Sequence, residues 1–152
     1  MNDNNLTIKS DLNLEKNVLN EAIFKVNREL VFSDWYAIEE NEIEVKVDTH
    51  LGVNKHDPSV GKLVLTVEIF NEDFISLEKP FYCLVEMEFF FKDTIGEYSE
   101  GQNVTERFGL NMVSIAYPYV RAYISTLSSI SGIDQIHIPT INVYKTFRND
   151  EN

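Results

Sequence analysis

Two periodicities divide this chain. In its first two-thirds apolar side chains recur at every second position, the spacing of strands, and beyond residue 103 they recur at the three-to-four spacing of a helix. Ala22, Phe24 and Val26 alternate with Ile23, Lys25 and Asn27 and predict a first strand. The alternation is strict where Ile43, Val45 and Val47 oppose Glu42, Glu44, Lys46 and Asp48, so this second strand is expected to meet water on one face. A third strand follows the turn at Asp57-Pro58 and Gly61. It places Leu63, Leu65, Val67 and Ile69 inward, with Val64, Thr66, Glu68 and Phe70 outward. After Lys79-Pro80, Cys83, Val85, Met87, Phe89 and Phe91 share one face of a fourth strand, and Leu84, Glu86, Glu88 and Phe90 the other. No helix-length amphipathic crossover separates these strands, so antiparallel pairing into one sheet is expected.

The polar stretch Thr94 to Gln102 leads to Asn103, an N-cap with Glu106 three residues on, and then to a long helix. Between Phe108 and Ile133 the only charged residue is Arg121. A helix lying on a sheet with its back to water normally carries a charged outer face. Here one apolar stripe runs Val113, Ala116, Val120, Ile124 and Leu127, and a second runs Met112, Ile115, Tyr119, Ala122 and Tyr123. A sheet covers one stripe; the other predicts a partner surface. Pro118 is expected to kink or divide the helix. Together with Arg121 and the interspersed Ser and Thr residues it also interrupts any run long enough to span a membrane.

Composition narrows the function classes. The 152 residues suit one domain, 43% hydrophobic and 12% aromatic with six Gly and four Pro, enough to build a single core. Thirteen basic against 25 acidic residues leave a net charge of −12, which repels phosphate backbones and anionic lipid, so nucleic-acid binding is not expected. The opening residues carry Asp3, Lys9 and Asp11 and no apolar leader segment; a cytoplasmic protein with no integral membrane segment is the expectation. Residues 1–17 lack a sustained period and read as a loose arm, and residues 148–152 as a charged stub.

Candidate chemistry is sparse. His50, His56 and His137 lie in different elements with no metal-ligand spacing, and Cys83 reads as a buried thiol in a strand. Glu86 and Glu88, like Glu42 and Glu44, sit on solvated strand faces. No phosphate-cradling loop, nucleophile elbow or Ser/His/Asp arrangement is present, so neither catalysis nor a cofactor is expected.

Within the helix, Ala116-Tyr117-Pro118-Tyr119-Val120-Arg121 resembles the aromatic-Pro-Tyr-x-Arg segment of the SecB protein-export chaperones. Ile124-Ser125-Thr126-Leu127, Gly132 and Ile138-Pro139-Thr140-Ile141-Asn142 resemble the turns and the Pro-x-x-Asn element that follow it in that family, and Ser33-Asp34-Trp35 its Asp-Trp motif. The resemblance spans about Val18 to Val143, within a SecB-like domain of residues 18–147. It implies an α+β fold, a four-stranded antiparallel sheet packed on a long helix of the C-terminal half, and a homotetramer built as a dimer of dimers. It also implies an ATP-independent holdase that binds unfolded polypeptide clients along apolar grooves and engages the SecA translocation motor. The chain departs from the family in ending soon after Phe147, where the family continues into a second helix and a tail that contacts SecA.

On this reading the client-binding residues are Trp35, Tyr36, Phe70, Phe74, Tyr119 and Tyr123, and the oligomer interface is Met112, Ile115, Tyr119, Arg121 and Ala122. Two alternatives remain at this level. One is a SecB-like chaperone dedicated to an antitoxin; the other is a small α+β isomerase or dehydratase with one carboxylate base of raised pKa in a closed pocket.

Overall fold

The computed structural model describes residues 11–133 and residue 136. Strand β1 (Leu12–Val26) is followed by a short helix α1 (Phe32–Tyr36), strands β2 (Val45–Val53), β3 (Val60–Ile69) and β4 (Phe81–Asp93), and helix α2 (Val104–Ile130). The strands form one antiparallel sheet in the order β1-β4-β3-β2. The β1–β2 connection therefore passes from one edge of the sheet to the other. This is the expected α+β fold with a four-stranded antiparallel sheet and a long C-terminal-half helix.

The inner face of the sheet is the alternating set read from the sequence: Leu63, Leu65, Val67 and Ile69 on β3, and Cys83, Val85, Phe89 and Phe91 on β4, are fully buried. Helix α2 lies chiefly over these two strands and adds Val113, Ala116, Val120 and Ile124, the first stripe. Burial of this apolar surface is the main stabilising term of the fold.

Three expectations need correction. Strand β1 begins at Leu12, so the end of the segment read as a loose arm is paired with β4, while residues 1–10 lie outside the described residues. Register shifts between Leu14 and Lys16 and between Leu19 and Glu21 break the alternation there, and a strict two-residue template fails across each extra residue. Strand β2 starts at Val45 and continues to Val53. Finally, α2 is not divided at Pro118. The carbonyl that loses its donor to Pro118 is that of Ser114, an exposed residue on the solvent side of the helix. The non-helical residue is Phe108 (φ −129°, ψ 19°), in the turn after the cap.

The helix ends are specified locally. Asn103 accepts the Glu106 N–H at 3.0 Å, as the capping pattern predicts. Beyond the C-terminal turn Gly132 adopts φ 84°, a left-handed conformation that glycine takes without the Cβ penalty. The chain then returns to the core: Ile136 is buried, and its N–H donates to the Ser128 hydroxyl at 2.9 Å. The segment from Ile138 to Asn142 and the stub 148–152 lie outside the described residues.

Candidate functional site

The end of the sheet where β1 and β3 finish and β4 begins gathers aromatic rings. Phe24 stacks on Phe81 (5.5 Å between centroids), and Phe32 and Phe70 meet Phe81 edge-on at 5.7 and 5.2 Å. Trp35, held by α1, meets Phe70 at 5.6 Å with planes perpendicular. Phe70 joins this cluster against the alternation, which would put it on the outer face beside Glu68. Its φ of 61° turns the chain so that the ring goes inward, a left-handed conformation that costs a bulky residue about 1–3 kcal/mol. The surrounding ring contacts offset that cost. Lys79 lies over the Phe70 ring at 5.6 Å and pairs with Glu44 at 3.4 Å, which ties the β3–β4 loop to the β1–β2 connection.

Trp35, Phe70 and Phe74 are thus largely consumed by packing; Phe74 stacks on Tyr82 at 6.2 Å. Tyr36 is the open member, 57% exposed at the rim beside Phe32. The sequence reading missed four residues at this end, Val31, Ile38, Ile75 and Leu77, all exposed. They lie in the connections between strands, where no sustained periodicity marks which apolar side chains stay exposed.

The second candidate surface is the side of α2 turned from the sheet. Tyr119 is 48% exposed with its ring 6.0 Å from Phe89, Tyr123 and Ile115 are half-buried against the core, and Ala122 is exposed. Arg121 is half-buried. Met112 is fully buried in the chain's own core and so leaves the proposed interface set: it sits close enough to the first stripe on the helix to be drawn under the sheet. The strip Asn111, Ser114, Pro118, Ala122, Thr126 and Ser129 of α2 is exposed and uncharged. The Tyr119 ring meets Phe89 on β4 and not the rings of the aromatic end, so the six expected client residues fall into two groups.

Ionisable groups give little chemistry. Asp34, Glu39, Glu40, Glu42, Glu72 and Asp73 surround the aromatic end and are exposed. Burial pushes the Cys83 thiol up to about 12, an inert protonated thiol at neutral pH. Burial, then the Glu68 carboxylate that accepts its hydrogen bond at 2.8 Å, raises Tyr82. His50 and His56 are exposed, and among the described residues no three metal-ligating side chains converge. No helix of the described residues is long and apolar enough to cross a membrane.

No family model matches the chain. An uncharacterized protein of Methanocaldococcus jannaschii, MJ0357, is 30% identical over 122 residues, which cover 74% of this chain and 70% of the relative. The chain belongs to the MJ0357 family. Among solved structures, the Mycobacterium tuberculosis Rv1957 SecB-like chaperone, in complex with a ChAD peptide from the Rv1956 HigA1 antitoxin, superposes with a TM-score of 0.59. Its sequence identity is 10%, with 86% of this chain and 88% of that one covered. A protein of unknown function from Streptococcus agalactiae reaches a TM-score of 0.49 at 10% identity, covering 87% of this chain and 99% of that one. This MJ0357-family chain therefore has a SecB-like fold. The Tyr36 rim and the outer side of α2 are the two candidate surfaces carried on that fold.

Proposed function

We propose that the protein is an ATP-independent holdase chaperone that binds unfolded or non-native polypeptides, without covalent chemistry or a cofactor. The observation that carries this reading is the fold shared with a SecB-like chaperone that holds an antitoxin peptide, on a chain that keeps apolar side chains exposed around an aromatic cluster. Tyr36 and Tyr119 are the contacts we assign to clients, with Tyr123 at the margin; Trp35 and Phe70 pack on each other beside the rim, and Phe74 packs on Tyr82. The outer side of α2, with Ile115, Arg121 and Ala122, is assigned to contacts between copies in a homotetramer of cytoplasmic protein. Residues 18–147 form the chaperone domain in this proposal.

The antitoxin-dedicated variant of this function has a specific support in the peptide bound by Rv1957, whereas preprotein export with handover to SecA rests on the sequence resemblance. The enzyme reading requires a buried carboxylate of raised pKa. The buried carboxylate among the described residues, Asp93, is shifted the other way. The deciding experiment is aggregation of a denatured client at equimolar tetramer without nucleotide. The full chain is expected to suppress it, and Tyr36→Asp and Tyr119→Asp to weaken suppression while the melting temperature stays close to wild type. Absence of suppression by the wild-type chain would overturn the proposal.

A further inference from the structure

Among the described residues two that are not glycine have positive φ, Phe70 at 61° and Glu78 at 55°, and they bracket the β3–β4 connection. Such conformations are uncommon for residues with a side chain and gather at switch regions. Between them the chain closes one turn. The Asp73 N–H donates to the Asn71 side chain at 2.8 Å, the Leu77 N–H to the Asp73 carbonyl at 3.0 Å, and the Lys79 N–H to the Phe74 carbonyl at 2.8 Å. This turn sets the Phe74 ring on Tyr82 and leaves Ile75 and Leu77 exposed.

The ladder identifies whose place Phe74 has taken. Ile69 pairs with Cys83, so one further step in register would set Phe70 opposite Tyr82, on the outer face of the sheet. Phe74 stacks there instead, on a tyrosine whose hydroxyl is fixed by Glu68 at 2.8 Å. Phe70 lies on the inner face, edge-on to Trp35 and Phe81 with Lys79 over its ring. Two ring sites thus flank the end of β3, one on each face, and the backbone conformation of Phe70 decides which of them its ring takes. The bond from the Phe70 N–H to the Glu44 carbonyl at 3.0 Å suits both, because rotation about φ moves the side chain and the chain that follows but not that N–H.

We infer that the β3–β4 connection is a two-ring switch. Phe74 on Tyr82 holds Phe70 inward at positive φ; when Phe74 leaves, β3 lengthens by one residue, Phe70 turns out onto Tyr82 and the space beside Trp35 opens. The inward state keeps two edge-on ring contacts and the Lys79 charge over the ring. The outward state relieves the left-handed backbone and extends the pairing with β4 by one step. Each side sets a few small terms against the other, as an element with two populated arrangements requires. Ile75 and Leu77 ride on the same turn as Phe74, so an apolar contact made with them acts on the ring that holds the switch. On the holdase reading, on which this use of the switch rests, a first contact at the loop opens the aromatic cluster beside Tyr36. The ring exchange itself stands on the geometry.

Trp35 is the single tryptophan of the chain, so its emission reports the inner site without a label, and ring-to-ring Overhauser contacts report where Phe70 lies. In the full chain, Phe74→Ala is expected to move the Phe70 contacts from Trp35 to Tyr82 and to shift Trp35 emission to the red. Phe70→Ala alone is expected to give the same shift, and Phe70→Ala added to Phe74→Ala no more than either. Such non-additivity between rings packed on opposite faces is not produced by a Phe74 that merely fills space. In the wild-type chain, an unfolded polypeptide that lacks tryptophan is expected to cause the same transfer of Phe70. Phe70 remaining against Trp35 in Phe74→Ala, or shifts that simply add, overturns the inference. If Phe74→Ala does not fold, Phe74→Leu, which keeps an apolar side chain over Tyr82, carries the same measurements. Ring exchange in the variant beside a wild-type chain that fails to suppress client aggregation would sink the holdase reading and leave the switch. Suppression by the wild type with Phe70 fixed inward in the variant would do the reverse.

Discussion

The two ends of β4 are held by opposite kinds of interaction. At Phe81 the strand starts in a cluster of rings, where Phe24, Phe32 and Phe70 all contact the same side chain. At Asp93 it ends in one buried carboxylate that gathers donors from two segments. The Asp11 N–H reaches it at 3.0 Å from the start of β1, the Gly96 N–H at 3.0 Å and the Tyr98 hydroxyl at 2.7 Å from the loop that leads to α2. A Cβ on Gly96 would collide with that carboxylate, so the loop approaches as closely as glycine allows. The ring cluster distributes its energy over many contacts and is indifferent to pH. The carboxylate concentrates its energy at one atom group and is not.

Removing that group is expected to be the largest single effect. Asp93→Ala leaves the Asp11 and Gly96 amides and the Tyr98 hydroxyl without their charged acceptor, and hydrogen bonds to a charged group contribute about 1.5–3 kcal/mol each before relaxation. A loss of about 4 kcal/mol is expected from denaturant titration. The pH dependence follows from the direction of the Asp93 shift. Burial alone would raise its pKa, but the bonds from Asp11, Tyr98, Gly96 and Ile95 outweigh burial and hold it below the usual 3.8. A depressed folded pKa stabilises the protein above the ordinary carboxylate value, and that stabilisation is lost as pH falls through the folded value. The difference between wild type and Asp93→Asn should therefore be full at neutral pH and shrink below about pH 4. A gap that stays constant down to low pH would show that the carboxylate's charge is not what holds this corner.

Trp35→Ala tests the other end, with an expected loss of about 3 kcal/mol that does not change across the same pH range. The ring is nearly buried and packs edge-on against Phe70, whose left-handed backbone the tryptophan helps to hold. If Trp35→Ala proved neutral, the remaining rings would be sufficient, and the positive φ of Phe70 would need another cause.

These ends also separate what the sequence made legible from what it did not. Strands β3 and β4 and the inner stripe of α2 could be read directly, because Leu63 to Ile69 and Cys83 to Phe91 alternate without interruption and the cap at Asn103 has its expected partner. The start of β1 could not, since one register shift changes the parity of Leu19 relative to Ala22 and the second changes it back at Leu14. Phe70 was read outward because alternation holds only while φ stays negative. Met112 belonged to the wrong stripe because a long flexible side chain at the border of a helix face can be drawn either way. Asp93 drew no attention at all: one aspartate at the end of a strand carries no pattern, and its role comes from donors in the loop that follows it together with one 82 positions away, at Asp11.

The finest test of the contrast is Tyr98→Phe. This change removes one donor from Asp93 but keeps the ring on which the Arg107 guanidinium lies, 4.2 Å from its centroid, with the Arg107 Nη2 still donating to the Glu97 carbonyl at 3.2 Å. Burial, and then the Asp93 carboxylate, push the Tyr98 hydroxyl up to about 12, so it is a protonated donor throughout the neutral range. Its loss leaves Asp93 with its amide donors and is expected to cost about 1.5 kcal/mol, read as a drop of several degrees in the thermal midpoint. A cost equal to that of Asp93→Ala would mean that the hydroxyl alone anchors the corner and the amides follow it. A cost near zero would mean that the amides and the arginine stack are enough. The intermediate value is the signature of a carboxylate shared among several donors, which is what distinguishes this end of β4 from the ring cluster at the other.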